Sequence, residues 1–275
     1  MRLATLGLRE RAATLGLTID APTNWSATAP LDVAALQSEM WSEGYFVVPP
    51  CLPAELVARC RAAIELVLAA GAPALASFAF DAPWELQRLL AAPAAAALDD
   101  TARLRPAFWA WRLTADEPRG WSPHRDRPGM AIDDRGTPTS ISVWVPLTDA
   151  TADNGCMYVV PAPLDVQYAN PRASLEVLNL QCVRALPAPA GSVLGWTARL
   201  LHWGGIARAG TAGRISLSFE YQAPHDPTPA FASDWIPSPA ERVALIEQQW
   251  DQYDHMHEQP PERRERLAAV LAALR

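Results

Sequence analysis

The residues of this chain best suited to chemistry are two of its five histidines and one nearby aspartate. His124 and Asp126 form a His-x-Asp pair, and residues two apart in extended backbone project to the same side. His202 lies far along the chain, in Leu200-Leu-His-Trp-Gly-Gly, at the edge of another apolar run. Two imidazoles and a carboxylate on one face of an octahedron form the facial triad of non-haem Fe(II) oxygenases, which leaves three positions open for cosubstrate and dioxygen. The pattern therefore predicts a metal site, with catalytic role, at His124, Asp126 and His202.

A second group of polar residues follows His202, in the segment Gly213-Arg-Ile-Ser-Leu-Ser-Phe-Glu-Tyr, where apolar and polar side chains alternate. If the polar face lines a barrel interior, Arg214 is a buried guanidinium that needs an anion. A carboxylate ligand suits its planar fork, and Ser216 can add a hydroxyl. The run from Ser140 to Leu147 alternates in the same way, so Trp144 can wall the same cavity. We predict that Arg214, Ser216 and Trp144 bind a carboxylate cosubstrate; the plainer alternative for Arg214 is a structural ion pair with an acid such as Glu220.

The elements that must position these residues come in three blocks. Helical patterns dominate the first part of the chain, with one short strand at Tyr45–Val48 between Gly44 and Pro49-Pro50. After residue 105, short apolar runs and turn residues alternate quickly, which is typical of a sandwich or barrel. The predicted strands are Phe108–Leu113, Trp121–Asp126, Ser140–Leu147, Cys156–Val160, Leu178–Leu186, Ser192–Trp196 and Arg214–Tyr221. The end of the chain returns to helical patterns at Ala240–Gln252 and Pro261–Leu274.

This order predicts a mainly β fold with flanking helices, built on a jelly-roll-like core. The length suits a single domain over residues 1–275. We divide it into an N-terminal arm (1–30), a helical front with one strand (31–104), the β core (105–222) and a helical C-terminal tail (223–275).

Composition excludes several classes of function. The 23 basic residues are all arginine, so no Schiff-base, pyridoxal-phosphate or P-loop lysine is present. The net charge of -7 argues against nucleic acid as a partner, and no apolar run reaches the length that a membrane span needs. Met1–Arg11 lacks the apolar core of a signal peptide, and the four cysteines show no CxxC pair. We expect a cytoplasmic protein with reduced thiols.

Several stretches together resemble the phytanoyl-CoA dioxygenase (phytanoyl-CoA hydroxylase) family of Fe(II)- and 2-oxoglutarate-dependent oxygenases. The resemblance covers roughly residues 33–222 as an ordered set of loose motifs. They are Glu43-Gly-Tyr-Phe-Val-Val-Pro, Pro123-His-Arg-Asp, Val143-Trp-Val-Pro-Leu-Thr-Asp-Ala, Asp153-Asn-Gly-Cys-Met-Tyr-Val-Val-Pro, Ala190-Gly-Ser-Val-Leu-Gly-Trp, Leu201-His and Arg214-Ile-Ser. After Val160-Pro161 the chain departs from the family's usual Gly-Ser-His and continues Ala162-Pro163-Leu164.

The resemblance implies a double-stranded β-helix (cupin-like) with Fe(II) on His124, Asp126 and His202, and with 2-oxoglutarate paired to Arg214. It further implies that dioxygen converts the cosubstrate to succinate and CO2 while a small organic molecule of specialised metabolism is hydroxylated, although related enzymes also desaturate, epoxidise or close rings. Because Asp126 is retained, the chain does not resemble the halogenases of the family.

Two other functions fit parts of the same pattern. One is a catalytically silent protein that binds metal and 2-oxoglutarate on this scaffold. The other is a cupin-like metal isomerase or hydrolase, which has no need for Arg214. Arg125, Arg127 and Arg199 flank the predicted ligands, either as solvated rim charges or as a site for an anionic substrate group. The sequence leaves substrate identity and oligomeric state open.

Overall fold

The computed structural model describes residues 7–116, 120–127, 129, 131–134, 136–169, 179–253 and 261–274. Its helices are α1 (Leu8–Thr14), α2 (Val33–Glu43), α3 (Ala54–Ala69), α4 (Asp81–Leu98), α5 (Pro239–Gln252) and α6 (Pro261–Leu274). Its strands are β1 (Tyr45–Val48), β2 (Arg103–Leu113), β3 (Ser140–Pro146), β4 (Met157–Val160), β5 (Arg184–Leu186), β6 (Val193–Thr197), β7 (Leu201–Gly204), β8 (Arg214–Gln222) and β9 (Phe231–Ala232). None of the described helices is long and apolar enough to cross a bilayer.

Two antiparallel sheets face each other and enclose the interior. The larger has the strand order β1-β6-β3-β8-β2-β9, and the smaller has the order β5-β4-β7. The core is therefore mainly β with flanking helices, as the sequence predicts. Strand β3 is buried along its whole length because it lies in the middle of the large sheet and is covered on both faces.

The two faces of the large sheet have different neighbours. Its outer face packs against the helices in one large apolar core that includes Phe78, Trp84 and Phe108. Its inner face meets the small sheet through a second cluster, which includes Trp144, Leu194 and Trp196. The alternation seen in the sequence of β3 and β8 separates these two environments, so the polar residues of β8 reach the interior between the sheets.

Local chemistry fixes how the chain enters this sheet. The Asp32 side chain caps α2 by accepting a hydrogen bond from the amide of Ala35 at 3.0 Å. Gly44 then ends the helix with φ of 81°, a left-handed conformation that favours glycine. The chain turns directly into β1, whose four residues pair with β6 at the edge of the large sheet.

The N-terminal segment is tied to the helices by buried polar contacts. Arg242 of α5 is 1% exposed and pairs with Asp81 of α4 at 2.7 Å. The same guanidinium donates to the carbonyl of Ile19 at 2.8 Å. Asp81 and Glu85 accept hydrogen bonds from the backbone of residues 21 and 23. These contacts hold residues 17–25 against the helical layer.

Some predicted elements differ in the structure. The segment 121–126 forms no regular strand; it is held by a single bridge at His124. The strand predicted from residue 178 begins at Arg184, after a 3₁₀ turn at Leu180–Cys182, and residue 178 lies outside the described residues. Strand β7 contains His202, which the sequence places only at the edge of a β run, and this strand is not among those predicted.

Candidate metal centre

The backbone brings His124 and His202 side by side. The two residues exchange hydrogen bonds between their N–H and carbonyl groups, each at 3.0 Å, as one antiparallel bridge. The loop that carries His124 therefore lies along the edge of β7. Gly120 makes this close approach possible, because a Cβ at that position would collide with the carbonyl of Gly204. A glycine thus seats the loop of one predicted ligand against the strand of the other.

Three side chains converge at this bridge. One ligand atom from each of His124, Asp126 and His202 lies within 4.8 Å of the others. Asp126 Oδ1 is 3.3 Å from His124 Nε2 and 3.6 Å from His202 Nε2. The three predicted ligands, which are spread along the sequence, therefore meet at one point in the structure.

Hydrogen bonds orient both imidazoles for metal binding. His124 Nδ1 is 2.8 Å from the carbonyl oxygen of Ser122, and His202 Nδ1 is 3.0 Å from that of Leu200. Because a carbonyl oxygen only accepts, each Nδ1 carries a proton, so each Nε2 is the ring nitrogen available to a metal at the shared point. This is the usual arrangement of a metal-binding histidine, in which the second nitrogen is fixed by an outer hydrogen bond.

The carboxylate of Asp126 is held in the same way. Ser142 of β3 donates to its Oδ2 at 2.6 Å, and the indole N–H of Trp196 on β6 donates to the same oxygen at 3.3 Å. Oδ1 is left facing the two imidazoles. Sequence reasoning missed this role of Ser142 and Trp196, since no local pattern shows which donors a folded sheet will bring to a carboxylate.

Electrostatics reflect the closeness of the three groups. Burial raises the pKa of Asp126, but the charge of His202 and the hydrogen bonds and charge of His124 outweigh it and hold that pKa well below its ordinary value. Burial lowers the pKa of His124, yet the hydrogen bond and charge of Asp126 raise it above its usual value overall. For His202, burial prevails and lowers the pKa. A neutral, buried imidazole beside an ionised carboxylate suits a divalent cation.

Arg214 lies in the same cavity as a buried cation. It is 3% exposed, and burial lowers its pKa to about 10. Its Nη1 donates to the carbonyl of Gly155 at 2.5 Å, while its Nε has no hydrogen-bond partner. Among the described residues no carboxylate forms an ion pair with it. The alternative of a pair with Glu220 is not found, because Glu220 instead lies 3.0 Å from Arg105.

Of the other two predicted cosubstrate residues, Trp144 lies beside Arg214 in the cavity, whereas Ser216 is on the same face of β8 but is not among the cavity-lining residues. The Trp144 ring centroid is 5.3 Å from the guanidinium carbon of Arg214, and Trp144 lines the cavity. Ser216 is fully buried, and its hydroxyl lacks a hydrogen-bond partner. An unpaired guanidinium nitrogen and an unpaired hydroxyl, both buried, together resemble the binding site of an anion.

The cavity measures about 850 Å³ and extends beyond the predicted residues. Its wall includes aromatic side chains from β2 and from the loop before His124, which are Trp109, Trp111 and Trp121. Tyr253, just after α5, also lines it, so the C-terminal tail contributes to the site. Tyr253 could not be predicted as a site residue, because no local pattern at the end of a C-terminal helix shows which cavity the next residue will line.

Two of the three arginines near the ligands are paired, whereas the Nε of Arg199 has no hydrogen-bond partner among the described residues. Arg125 forms a buried ion pair with Asp165 at 2.7 Å, and Arg127 pairs with Asp226 at 3.1 Å. Asp165 belongs to the segment where the chain departs from the resembled family's usual sequence. These pairs weaken the idea that Arg125 and Arg127 form a site for an anionic substrate group.

Comparison with known proteins agrees with this architecture. A family model, "Phytanoyl-CoA dioxygenase (PhyH)", matches residues 41–211. Among curated proteins, none matches the chain at a significant level.

Solved structures show the same fold. The non-heme alpha ketoglutarate dependent epimerase SnoN from nogalamycin biosynthesis is 23% identical over 71% of this chain and 84% of its own, with a TM-score of 0.56. The carbocyclase SnoK from the same biosynthesis is 18% identical over 74% of this chain and 87% of its own, also with a TM-score of 0.56. AviO1 from Streptomyces viridochromogenes Tue57 is 24% identical over 74% of this chain and 100% of its own, again with a TM-score of 0.56. The prediction of a cupin-like jelly-roll core is confirmed.

Proposed function

This chain belongs to the phytanoyl-CoA dioxygenase family, and from that membership we propose that it hydroxylates a small organic molecule with release of succinate and CO2. The family consists of non-haem iron oxygenases that consume 2-oxoglutarate, so Fe(II), 2-oxoglutarate and dioxygen are its cofactor set. The observation that carries the proposal is the buried, unpaired guanidinium of Arg214 in the same cavity as three converging ligand atoms.

The residues fit these groups. His124, Asp126 and His202 would hold the iron, since two imidazoles and a carboxylate form the facial set that leaves open positions. Arg214 and Ser216 would bind the far carboxylate of 2-oxoglutarate through groups that otherwise lack partners. When bound, iron supplies with 2-oxoglutarate and dioxygen the oxidising chemistry that attacks a C–H bond.

The chain's own contribution is orientation and exclusion of water. Ser142 and Trp196 hold Asp126 so that one carboxylate oxygen faces the imidazoles. Trp144 lies over the guanidinium of Arg214 and shields it from solvent. Such fixed groups need no rearrangement when the charged cosubstrate enters, which is how preorganised sites favour binding and reaction.

A spectroscopic titration tests the proposal directly. Purified protein is loaded with Fe(II) without oxygen, and 2-oxoglutarate is added while the visible charge-transfer band of the chelate is recorded. We expect the band in the wild type, its loss in His202→Ala, and its weakening in Arg214→Met. Absence of a band in the wild type refutes the proposed use of 2-oxoglutarate.

Product analysis then separates the reaction types. A screen of small molecules for stimulated succinate release identifies a substrate, and hydroxylation adds the mass of one oxygen atom to it. A product of unchanged mass would indicate isomerisation instead. A silent binding protein would show the band without turnover, and an isomerase or hydrolase independent of 2-oxoglutarate would keep its activity in Arg214→Met.

The setting we propose is the cytoplasm. All four cysteines, at positions 51, 60, 156 and 182, are free thiols in the structure. Free thiols are the usual state in a reducing compartment.

A further inference from the structure

The end of the cavity away from Arg214 contains a buried carboxylate. Glu220 lies on the same face of β8 as Arg214, six positions further along the strand, and lines the cavity. Its Oε2 lies 3.0 Å from the Nε of Arg105, which is not among the cavity-lining residues. Within the described part of the chain, Glu220 has no other hydrogen-bond partner. Its carboxylate is therefore held from behind while part of it faces the cavity.

Aromatic rings line the same cavity as this carboxylate. Trp109 and Trp111 lie parallel on β2, with ring centroids 5.4 Å apart and an interplanar angle of 14°. Tyr253 meets Trp109 at 64°, with centroids 4.5 Å apart, and Trp121 meets Trp111 at 85°. All four rings are partly exposed, although they line a cavity. We refer to Glu220 with these four residues as the acidic aromatic box.

The proposed metal and cosubstrate sites make no use of the charge of Glu220. Asp126 serves the metal and Arg214 serves the cosubstrate in the proposed function, and Arg125 is offset by Asp165. Burial, and next the charge of Asp126, raise the pKa of Glu220 to about 7 although Arg105 and Arg127 oppose the shift. Glu220 is paired with Arg105, but among the described lining residues it is the carboxylate that neither the metal site nor the cosubstrate site of the proposed function uses.

We propose that the acidic aromatic box binds the protonated amino group of the substrate, with Glu220 as counter-ion and the aromatic faces as cation–π partners. The negative faces of aromatic rings attract ammonium groups, more strongly when water is excluded. An anionic substrate group would be repelled by both the rings and the carboxylate. The inference deepens the proposed function, since it assigns a substrate class, an amine, to the same cavity.

The test compares three indole probes that differ in charge: tryptamine, neutral N-acetyltryptamine and anionic indole-3-propionate. Each is titrated by calorimetry into the full chain, once as purified and once with Fe(II) and 2-oxoglutarate in the absence of oxygen. We expect tryptamine to bind about tenfold more tightly than N-acetyltryptamine, because cation–π and charge contacts of this kind contribute on the order of 1 to 2 kcal/mol. Equal binding of the two probes, or no binding of tryptamine at millimolar concentration, overturns the proposal.

Variants separate recognition from a structural role of Glu220. Glu220→Gln keeps the shape but removes the charge, so the tenfold preference should fall to about equal affinity while N-acetyltryptamine binds as before. Glu55→Gln removes one carboxylate from a surface pair with Arg59 and should keep the preference. If Glu220→Gln merely lowers the melting temperature and keeps the preference, Glu220 is a structural partner of Arg105 and the proposal fails.

A second variant covers the case in which Glu220→Gln does not fold. Trp121→Leu, in the loop before His124, removes one wall of the box without touching the ion pair. It should reduce the preference for tryptamine by several-fold; an unchanged preference contradicts the box. Failure of this inference is distinguishable from failure of the proposed function, because the charge-transfer band depends on His202 and Arg214 and not on the amine.

Discussion

Replacing Arg214 by methionine should make the ligand-free protein more stable and, at the same time, abolish its stabilisation by 2-oxoglutarate. Arg214 is 3% exposed and has no carboxylate partner among the described residues, so its buried charge is met by the Gly155 carbonyl and the Trp144 ring rather than by an anion. Methionine has a similar length and no charge. In a dedicated anion site, we expect the cationic residue to lower stability when the ligand is absent and to bind the ligand when it is present.

The expected size of this stabilisation follows from the pKa of Arg214. Burial lowers the pKa of Arg214 well below its ordinary value, to about 10. Each pKa unit corresponds to about 1.4 kcal/mol, so the charged side chain costs the folded state about 3 kcal/mol at neutral pH. The folded pKa is depressed for a base, so this cost is fully present below about pH 10 and fades as the pH rises towards the unfolded value.

Part of this gain is lost again. Arg214 donates to the carbonyl of Gly155, and the variant leaves that buried oxygen without this donor. An unmet buried acceptor costs about 1 to 2 kcal/mol. The net gain is then about 1 to 2 kcal/mol, which raises the melting temperature of a chain of this size by about 2 to 8 °C.

Thermal unfolding with and without ligand measures both effects. Saturating 2-oxoglutarate, with Zn(II) in place of iron, should stabilise the wild type by about 3 kcal/mol at a concentration one hundred times its Kd. Arg214→Met should show no such increase. The matched control is Arg242→Met, since Arg242 is equally buried but pairs with Asp81 at 2.7 Å. Breaking that pair should destabilise the protein by about 3 to 5 kcal/mol.

Two results would refute the reasoning. If Arg214→Met destabilises the protein as much as Arg242→Met does, the guanidinium of Arg214 is a structural element. If the variant is still stabilised by 2-oxoglutarate, the cosubstrate binds elsewhere.

Three further expectations concern the metal centre. Ser142→Ala removes the hydroxyl that donates to Asp126 at 2.6 Å. It should lower metal affinity by about 10- to 100-fold in a chelator competition assay. An unchanged affinity would show that other groups hold Asp126. Gly120→Ala places a Cβ against the carbonyl of Gly204, so it should destabilise the protein by about 1 to 3 kcal/mol and lower its metal affinity. The control is Gly129→Ala, whose Cβ has no described neighbour within 4 Å and which should change neither stability nor metal affinity in the same assays. Zn(II) should raise the melting temperature of the wild type and leave that of His202→Ala unchanged, and equal shifts in both would place the metal at another site.

Much of the site could be predicted because its residues carry their own local signals. A spacing of two residues in extended backbone places His124 and Asp126 on the same side of the chain. Strand alternation places Arg214, Ser216 and Trp144 on one interior surface. The structure brings all of these except Ser216 into the lining of one cavity, and Ser216 lies buried on the same face of β8 as Arg214. The assignment of iron and 2-oxoglutarate to them is a prediction that the titrations above will test.

The rest of the site depends on contacts between elements that are distant in sequence. Trp196 reaches Asp126 only because β6 pairs with β3, and Tyr253 reaches Trp109 only because α5 packs beside β2. No local pattern reports such pairings. The segment that carries His124 is predicted as a strand because its spacing is extended. In the structure a single bridge to β7 replaces a full ladder, because Gly120 and the ligands define the path of this segment.

The mutual backbone bridge between His124 and His202 has a consequence for how the protein is made. The two residues lie on either side of strands β3 to β6, so the loop between them must close before the imidazoles can meet. Closing so long a loop has an entropic cost that only the packed strands can offset. On the ribosome, His124 emerges well before His202, and chains fold as their domains are completed. An iron site at these residues, as proposed above, would therefore be complete only after the nascent chain has formed its barrel.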